Sequence, residues 1–245
     1  MSLKRMLATG KRVLLQLKHD PRTVGLLLLV PTFLTVLLYF VMYRERLAYD
    51  RVLPELLALF PYTTMFVVAS VAMVRERTKG TLERLMVSLI GKGDLLVGYA
   101  LAFGLMALVQ TFTAVAVSIY VLGVNIAGGM VPLLATSFVD AVSGMALGLM
   151  LSAFATSEFQ AVQFLPAVVL PQFLLCGLIV QRNQLPFGLH LISDVLPLSY
   201  AADAGLQVSR YATWNSQLLS DLVVVGAFAL LSLGIGAVTL KRSNH

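Results

Sequence analysis

Six apolar runs, each near the length that crosses a bilayer, restrict this chain to one class of fold. A helix of about 20 apolar residues spans the hydrocarbon layer. Runs of that kind cover about 24–41, 56–74, 95–122, 131–154, 161–180 and 218–240. Charged residues make up only 12% of the chain, about half the ~25% of a soluble domain. The expected fold is all-α and membrane-embedded, with six transmembrane helices forming one domain over residues 1–245. Its first long apolar run starts near Val24 and is of full span length, so no cleavable signal peptide is expected.

The basic residues orient these runs. With the N-terminus inside, the inner segments carry Lys4, Arg5, Lys11, Arg12, Lys18, Arg22, Arg75, Arg77, Lys79, Arg84, Lys92, Lys241 and Arg242. The outer segments carry Arg44, Arg46, Arg51, Arg182 and Arg210. Thirteen against five places both termini in the cytoplasm by the positive-inside rule, in the cell inner (plasma) membrane. The net charge of +6 is thus a topology signal, and no nucleic-acid partner is expected. The single Cys176 excludes an internal disulfide framework.

Three segments between or beside the spans have patterns of their own. Residues 3–20 read as a basic amphipathic helix on the cytoplasmic surface, with Leu3, Met6, Leu7, Val13, Leu14 and Leu17 on one face and the basic residues near headgroups. A plain positive-inside flank is the alternative. Asp20-Pro21 ends it before span 1. Residues 75–94 hold the densest block of charge. Within it, Leu82, Leu85, Met86, Leu89 and Ile90 fall on one face of a helix over 81–90, off which Glu83 and Arg84 lie. Gly80 and Gly91 punctuate its ends, and Thr78 or Thr81 is a capping candidate. Too short to span, it must lie at the interface or press on another protein. Residues 181–214 are too apolar for a free loop and too broken for a span. They read as two short helices, Leu185–Val195 and Tyr200–Ser209, that re-enter the outer leaflet or lie on its surface.

Polar residues at membrane depth are candidates for function. Asp140 lies midway along span 4, where a carboxylate costs about 2.5–3.5 kcal/mol to insert. Two readings follow: a residue of the translocation path, or a structural hydrogen bond to another span. The same pair applies to Gln110 and Gln172. Pro166 and Pro171 break or kink span 5 and suggest a gate. Gly144 and Gly148 form a GxxxG pair, read as internal packing rather than a dimer seam.

Catalytic chemistry is not legible in these residues. Gly91-Lys92 lacks the other elements of a phosphate-binding loop, with Met86 and Gly93 where glycine and Ser/Thr are required. His19, His190 and His245 have no metal-ligand spacing. The chain is not expected to be an enzyme.

Three features together resemble the membrane subunits of type-2 ATP-binding-cassette (ABC) exporters. One is the six-span layout with a basic N-terminal helix. Another is Glu76-Arg77-Thr78-Lys79-Gly80-Thr81-Leu82-Glu83-Arg84-Leu85, similar to the family's loop after span 2. The third runs from Leu170-Pro171-Gln172-Phe173-Leu174-Leu175-Cys176-Gly177 through Leu185-Pro186 to Leu196-Pro197-Leu198-Ser199-Tyr200-Ala201-Ala202-Asp203. Within the family the chain looks nearest to permeases of daunorubicin-type drug and nodulation-factor exporters. It departs at Val87-Ser88, followed by Leu89-Ile90 where proline is frequent, and at Val180-Gln181-Arg182, which lacks an aromatic-proline turn.

The resemblance implies a coupling helix at 81–90 that docks in an ATPase subunit. The coupling set would be Glu76, Arg77, Gly80, Thr81, Leu82, Glu83, Leu85, Met86 and Leu89. Two ATPase subunits per complex would bind ATP and magnesium, and a second permease chain, identical or related, would complete it. This chain itself is expected to bind no cofactor. The cargo implied is amphipathic, a drug-like or lipid-type molecule, with a lipid-linked saccharide or polysaccharide as the alternative. Asp140, Gln110, Gln172 and Pro171 are the translocation-path candidates. An ion-coupled carrier would need paired intramembrane charges and internal repeats, and a membrane enzyme a polar cluster at one depth.

Overall fold

The computed structural model describes residues 2–81 and 91–239. They form α1 (Leu3–Lys18), α2 (Pro21–Val41), α3 (Arg46–Thr78) and α4 (Lys92–Ala116), the last continued by a π-helical turn, Val117–Val121. Then come α5 (Met130–Leu151), α6 (Glu158–Phe164), a π-helical turn (Leu165–Val169) and α7 (Leu170–Leu175). The chain ends with α8 (Phe187–Ser193), α9 (Pro197–Arg210) and α10 (Ser216–Thr239). No strand occurs among the described residues. Six helical stretches have the length and hydropathy to cross a membrane: α2, α3, α4, α5, α6 with α7, and α10. The fold is that of an all-α integral membrane protein. Of the helix read over 81–90, only Thr81 is described; Leu82, Glu83, Leu85, Met86 and Leu89 lie outside the described residues, as do Lys241 and Arg242.

The most intimate contact in the bundle is between α3 and α5. A methyl group on Gly144 would lie 2.2 Å from the Tyr62 carbonyl oxygen, and one on Gly148 would lie 2.3 Å from that of Phe66. Both pairs are four residues apart, so one turn of α5 meets one turn of α3 in register. Lipid gives helices no hydrophobic reason to associate, and close backbone approach lets dispersion contacts accumulate instead. The GxxxG pair is thus an internal seam, as its sequence suggests.

Four boundaries or faces differ from expectation. The second span begins at Arg46 rather than near Leu56 and runs unbroken through Pro54 and Pro61. Tyr49, Leu53 and Leu57 extend its buried stripe at i, i+4 and i+8, and the Tyr49 hydroxyl donates to the Thr35 carbonyl at 2.9 Å. The charges nearby masked that stripe in the sequence. The fifth span ends at Leu175 rather than Val180. Gly177, at φ +104°, takes a conformation that stops a helix. Its π-helical turn falls at Pro166, whose missing N–H breaks the regular ladder.

α1 also departs from the amphipathic face read for it. Leu3 and Leu7 are exposed, and the buried side is Thr9, Gly10, Val13 and Leu17 against α4. Small residues set that contact: a methyl on Gly98 would lie 2.5 Å from the Thr9 Cβ. Arg12, assigned to headgroups, turns inward. The boundary to α2 follows the sequence, since Asp20 caps α2 by accepting from the Thr23 amide at 3.2 Å and hydroxyl at 2.7 Å. Those hydrogen bonds hold its carboxyl below the usual range.

The 181–214 segment holds two helices as read, with shifted ends. α9 is inserted among α3, α5 and α10, with Leu198, Ala201, Ala204 and Val208 buried. α8 keeps Phe187, Leu191 and Ile192 exposed.

Substitution Gly144→Leu should destabilise the protein by at least the ~1–3 kcal/mol of an overpacked core, because the opposing atoms are backbone. Gly104→Ala, with open space at its Cβ, should leave stability unchanged or slightly raised. Thermal unfolding midpoints in detergent compare the two.

Candidate functional site

The end of α3 fastens three other elements through three consecutive side chains. Arg75 reaches α6: its Nε and Nη2 donate to the two Glu158 carboxylate oxygens, each at 2.9 Å, and Asp20 lies 3.9 Å from Nη1. Glu76 faces the opposite way, toward α1. It accepts from Arg12 Nη1 at 3.3 Å and from Gln16 Nε2 at 3.0 Å. Arg77 Nη1 donates to the Ser152 carbonyl at 2.7 Å and the Ala155 carbonyl at 3.3 Å, just past the end of α5, where the Ser152 carbonyl also accepts from the Ala155 amide.

The three anchors are unequal. The Arg75–Glu158 side chains are both more than 40% exposed, and such pairs contribute about 0–1 kcal/mol. Glu76 has only 10% of its side chain exposed, so its carboxylate depends on the groups around it. Arg12 is held in turn by the Tyr99 hydroxyl, to which Nη2 donates at 2.7 Å, and by the Tyr99 ring, 5.7 Å from its guanidinium carbon.

Glu76 also leads into the loop. The Thr81 hydroxyl donates to the Glu76 carbonyl at 2.9 Å and to its carboxylate Oε2, so the turn through Gly80, at φ +67°, folds back on α3. On the far side of the loop, Asp94 is buried. It accepts from the Gly91 amide at 3.4 Å and from the Ser2 amide at 2.9 Å. Both flanks of residues 82–90 are therefore tied to α1, one through Glu76 and the other through Asp94. Glu76, Arg77, Gly80 and Thr81 were named from the sequence. Asp94, Arg12, Gln16 and Tyr99 were not. The signal for Arg12 was its charge, which sequence reasoning spent on the membrane surface.

Two of the translocation candidates bond to α3, Gln172 at Tyr62 and Gln110 at Thr64. Gln110 is fully buried and its Nε2 donates to the Thr64 hydroxyl, while Oε1 has no partner. Gln172 is buried and accepts from the Tyr62 hydroxyl at 3.3 Å. Both amides thus link neighbouring spans to α3. Pro171 is exposed at the start of α7. Asp140 is completely buried, and neither of its carboxyl oxygens has a hydrogen-bond partner among the described residues. Among the described residues no partner supplies the structural hydrogen bond that was one alternative for Asp140.

A second ionic centre joins the elements after the fifth span. Arg182 Nε donates to Ser193 Oγ at 3.0 Å, Nη2 to Asp194 at 2.5 Å and Nη1 to Asp203. Its guanidinium carbon lies 5.1 Å from the Tyr200 ring centre. One side chain thereby fixes α8 and α9 together. The sequence presented Arg182 only as an outer basic residue.

Comparison with known proteins places this architecture. A family model described as ABC-2 type transporter matches residues 5–209. The chain belongs to the ABC-2 type transporter family. A probable multidrug ABC transporter permease of Escherichia coli K12, YbhR, is 26% identical over 181 residues, covering 72% of this chain and 49% of the relative. A second from the same organism, YbhS, is 24% identical over 177 residues, 72% of this chain and 47% of the relative. ABC transporter G family member 20 of Dictyostelium discoideum is 26% identical over 203 residues, 79% of this chain but 28% of that protein. The chain therefore spans about half or less of the relatives it matches. As an ABC-2 member it is a membrane permease component, and the resemblance drawn from the loop and span motifs agrees with the family match.

Two outcomes are expected. In a double-mutant cycle of Arg12→Ala and Glu76→Ala, the two side chains should couple by about 0.5–3 kcal/mol, read from unfolding in detergent; additive effects would show that they do not support one another. For Asp140→Asn, which keeps the shape of the side chain and puts another polar group in the same buried place, stability should stay close to wild type while transport in vesicles falls. Wild-type transport would remove Asp140 from the functional set.

Proposed function

We propose that the chain is the permease subunit of an ATP-driven exporter that moves an amphipathic molecule out of the cytoplasm or inner leaflet. ATP hydrolysis comes from separate ATPase subunits, two per complex, which bind ATP and magnesium. A second permease chain, identical or related, completes the membrane part. The complex lies in the cell inner membrane with both termini of this chain cytoplasmic, as the distribution of basic residues supports.

One observation carries this reading: the segment 82–90 is flanked on both sides by anchors to α1, Glu76 before it and Asp94 after it. A force applied to that segment by a partner is passed to α1 and, through Arg75 and Arg77, to α6 and the end of α5. Rigid-body movement of that kind needs a stiff connection between the docking element and the spans. Glu76, Arg77, Gly80 and Thr81 provide the connection. Leu82, Leu85, Met86 and Leu89 are the apolar docking face, with Glu83 at its edge. Cargo of drug or lipid type fits the apolar spans and the two Escherichia coli relatives, which are probable multidrug permeases.

Leu85→Asp places a charge on the docking face. At wild-type membrane yield it should lower co-purification of the ATPase subunit and transport by about tenfold or more, the factor that 1.4 kcal/mol of lost affinity represents. Wild-type co-purification together with wild-type transport would overturn the coupling assignment.

A further inference from the structure

A cavity of about 440 Å³ opens between α1, α2, α3 and α4, beside the Glu76 anchor. Its size falls in the ~300–1,000 Å³ range of small-molecule sites. The depth is apolar, with Val13 and Leu17 from α1, Val67, Val68 and Val71 from α3 and Phe103 from α4. The mouth is polar, with Asp20, Arg75, Glu76 and Lys79. A wall of aliphatic carbon below a charged rim selects an amphipath.

The hydrogen bonds at the rim select the charge of its head. Glu76 accepts from Arg12, Gln16 and Thr81. Both Asp20 oxygens accept from Thr23. Arg75 donates two of its nitrogens to Glu158. The carboxylates already hold donors, whereas the Lys79 ammonium, with three donors, feels Glu158 only at longer range and forms no ion pair within 4 Å among the described residues. The unspent capacity at the mouth is that of a cation and donor.

We propose that this cavity binds an amphipath with an acyl-type tail and an anionic phosphate or carboxylate head, the tail lying against Val68 and Val71 and the head against Lys79. Such a molecule touches α1 and α3 at once and contacts Thr81, where the proposed coupling loop begins. The site does not depend on the ATPase reading; only its assignment to the cytoplasmic leaflet rests on the proposed orientation. Two sources offer this chemistry, a bilayer phospholipid and a free fatty acid.

The test is native mass spectrometry of the full chain in uncharged detergent, without ATPase, loaded separately with phosphatidylglycerol, phosphatidylcholine of the same chains, and palmitate. At least one anionic ligand should be retained over phosphatidylcholine by about fivefold, the worth of one basic residue beside an anionic headgroup. Retention of phosphatidylglycerol alone identifies a bilayer lipid, and of palmitate alone a free acid. Lys79→Gln, at the exposed mouth, should erase the preference. Val68→Trp or Val71→Phe, each filling the depth, should abolish retention of every tail. Equal retention of anionic and zwitterionic ligands by the wild type, an undiminished preference in Lys79→Gln, or wild-type retention in a folded cavity-filling variant would overturn the proposal. Because the assay contains neither ATPase nor transport, its outcome is separate from that of the coupling experiment.

Discussion

The backbone contact between α3 and α5 is the constraint on which the rest of the bundle depends. In water, burying apolar surface would drive two such helices together. In lipid that gain is absent, and association rests on dispersion contacts that fall away steeply with distance. Gly144 and Gly148 bring two helix backbones together at Tyr62 and Phe66. Once α3 is held there, its remaining surfaces organise the other elements. α2 packs on one side, α9 on another, and Gln110 and Gln172 supply polar links at Thr64 and Tyr62.

Charge performs a different task at the two ends of the bundle. Within the core, ions are expensive and hydrogen-bonded amides and hydroxyls connect the spans. At the ends, guanidinium groups join separate elements: Arg75 and Arg77 at the end of α3, Arg12 on α1, and Arg182 between α8 and α9. Arginine suits this because its planar fork donates in several directions from one fixed group. The result at the α1 end is a set of anchors on both flanks of residues 82–90. Anchors of this kind are what a permease needs if an external ATPase is to move its spans.

Asp140 and the cavity beside Glu76 are two of the places, among the described residues, where the molecule forgoes stability. An unpartnered carboxyl group in the core costs more than its replacement by an apolar group. An apolar cavity leaves its walls without dispersion partners. Neither is needed to hold the bundle, which the glycine seam and the amide links already do.

The apolar runs alone determined the all-α membrane class, the six spans and the two helices after the fifth, because bilayer thickness sets a length that no soluble helix requires. Spacing alone also pointed to internal packing at Gly144 and Gly148 and to a helix break at Asp20-Pro21, both local in sequence. The partners of the charged residues were decided only by the tertiary structure. Arg12 and Glu76 are far apart along the chain, as are Arg75 and Glu158, and a charge beside an apolar run reads equally well as a membrane flank. The burial of Thr9 and Gly10 rather than Leu3 and Leu7 in α1 was hidden for the same reason: its neighbour, α4, presents Gly98, and a helix packs its small residues where the opposing backbone comes nearest. Periodicity reports which residues share a face. Only the packed chain decides which face has a partner.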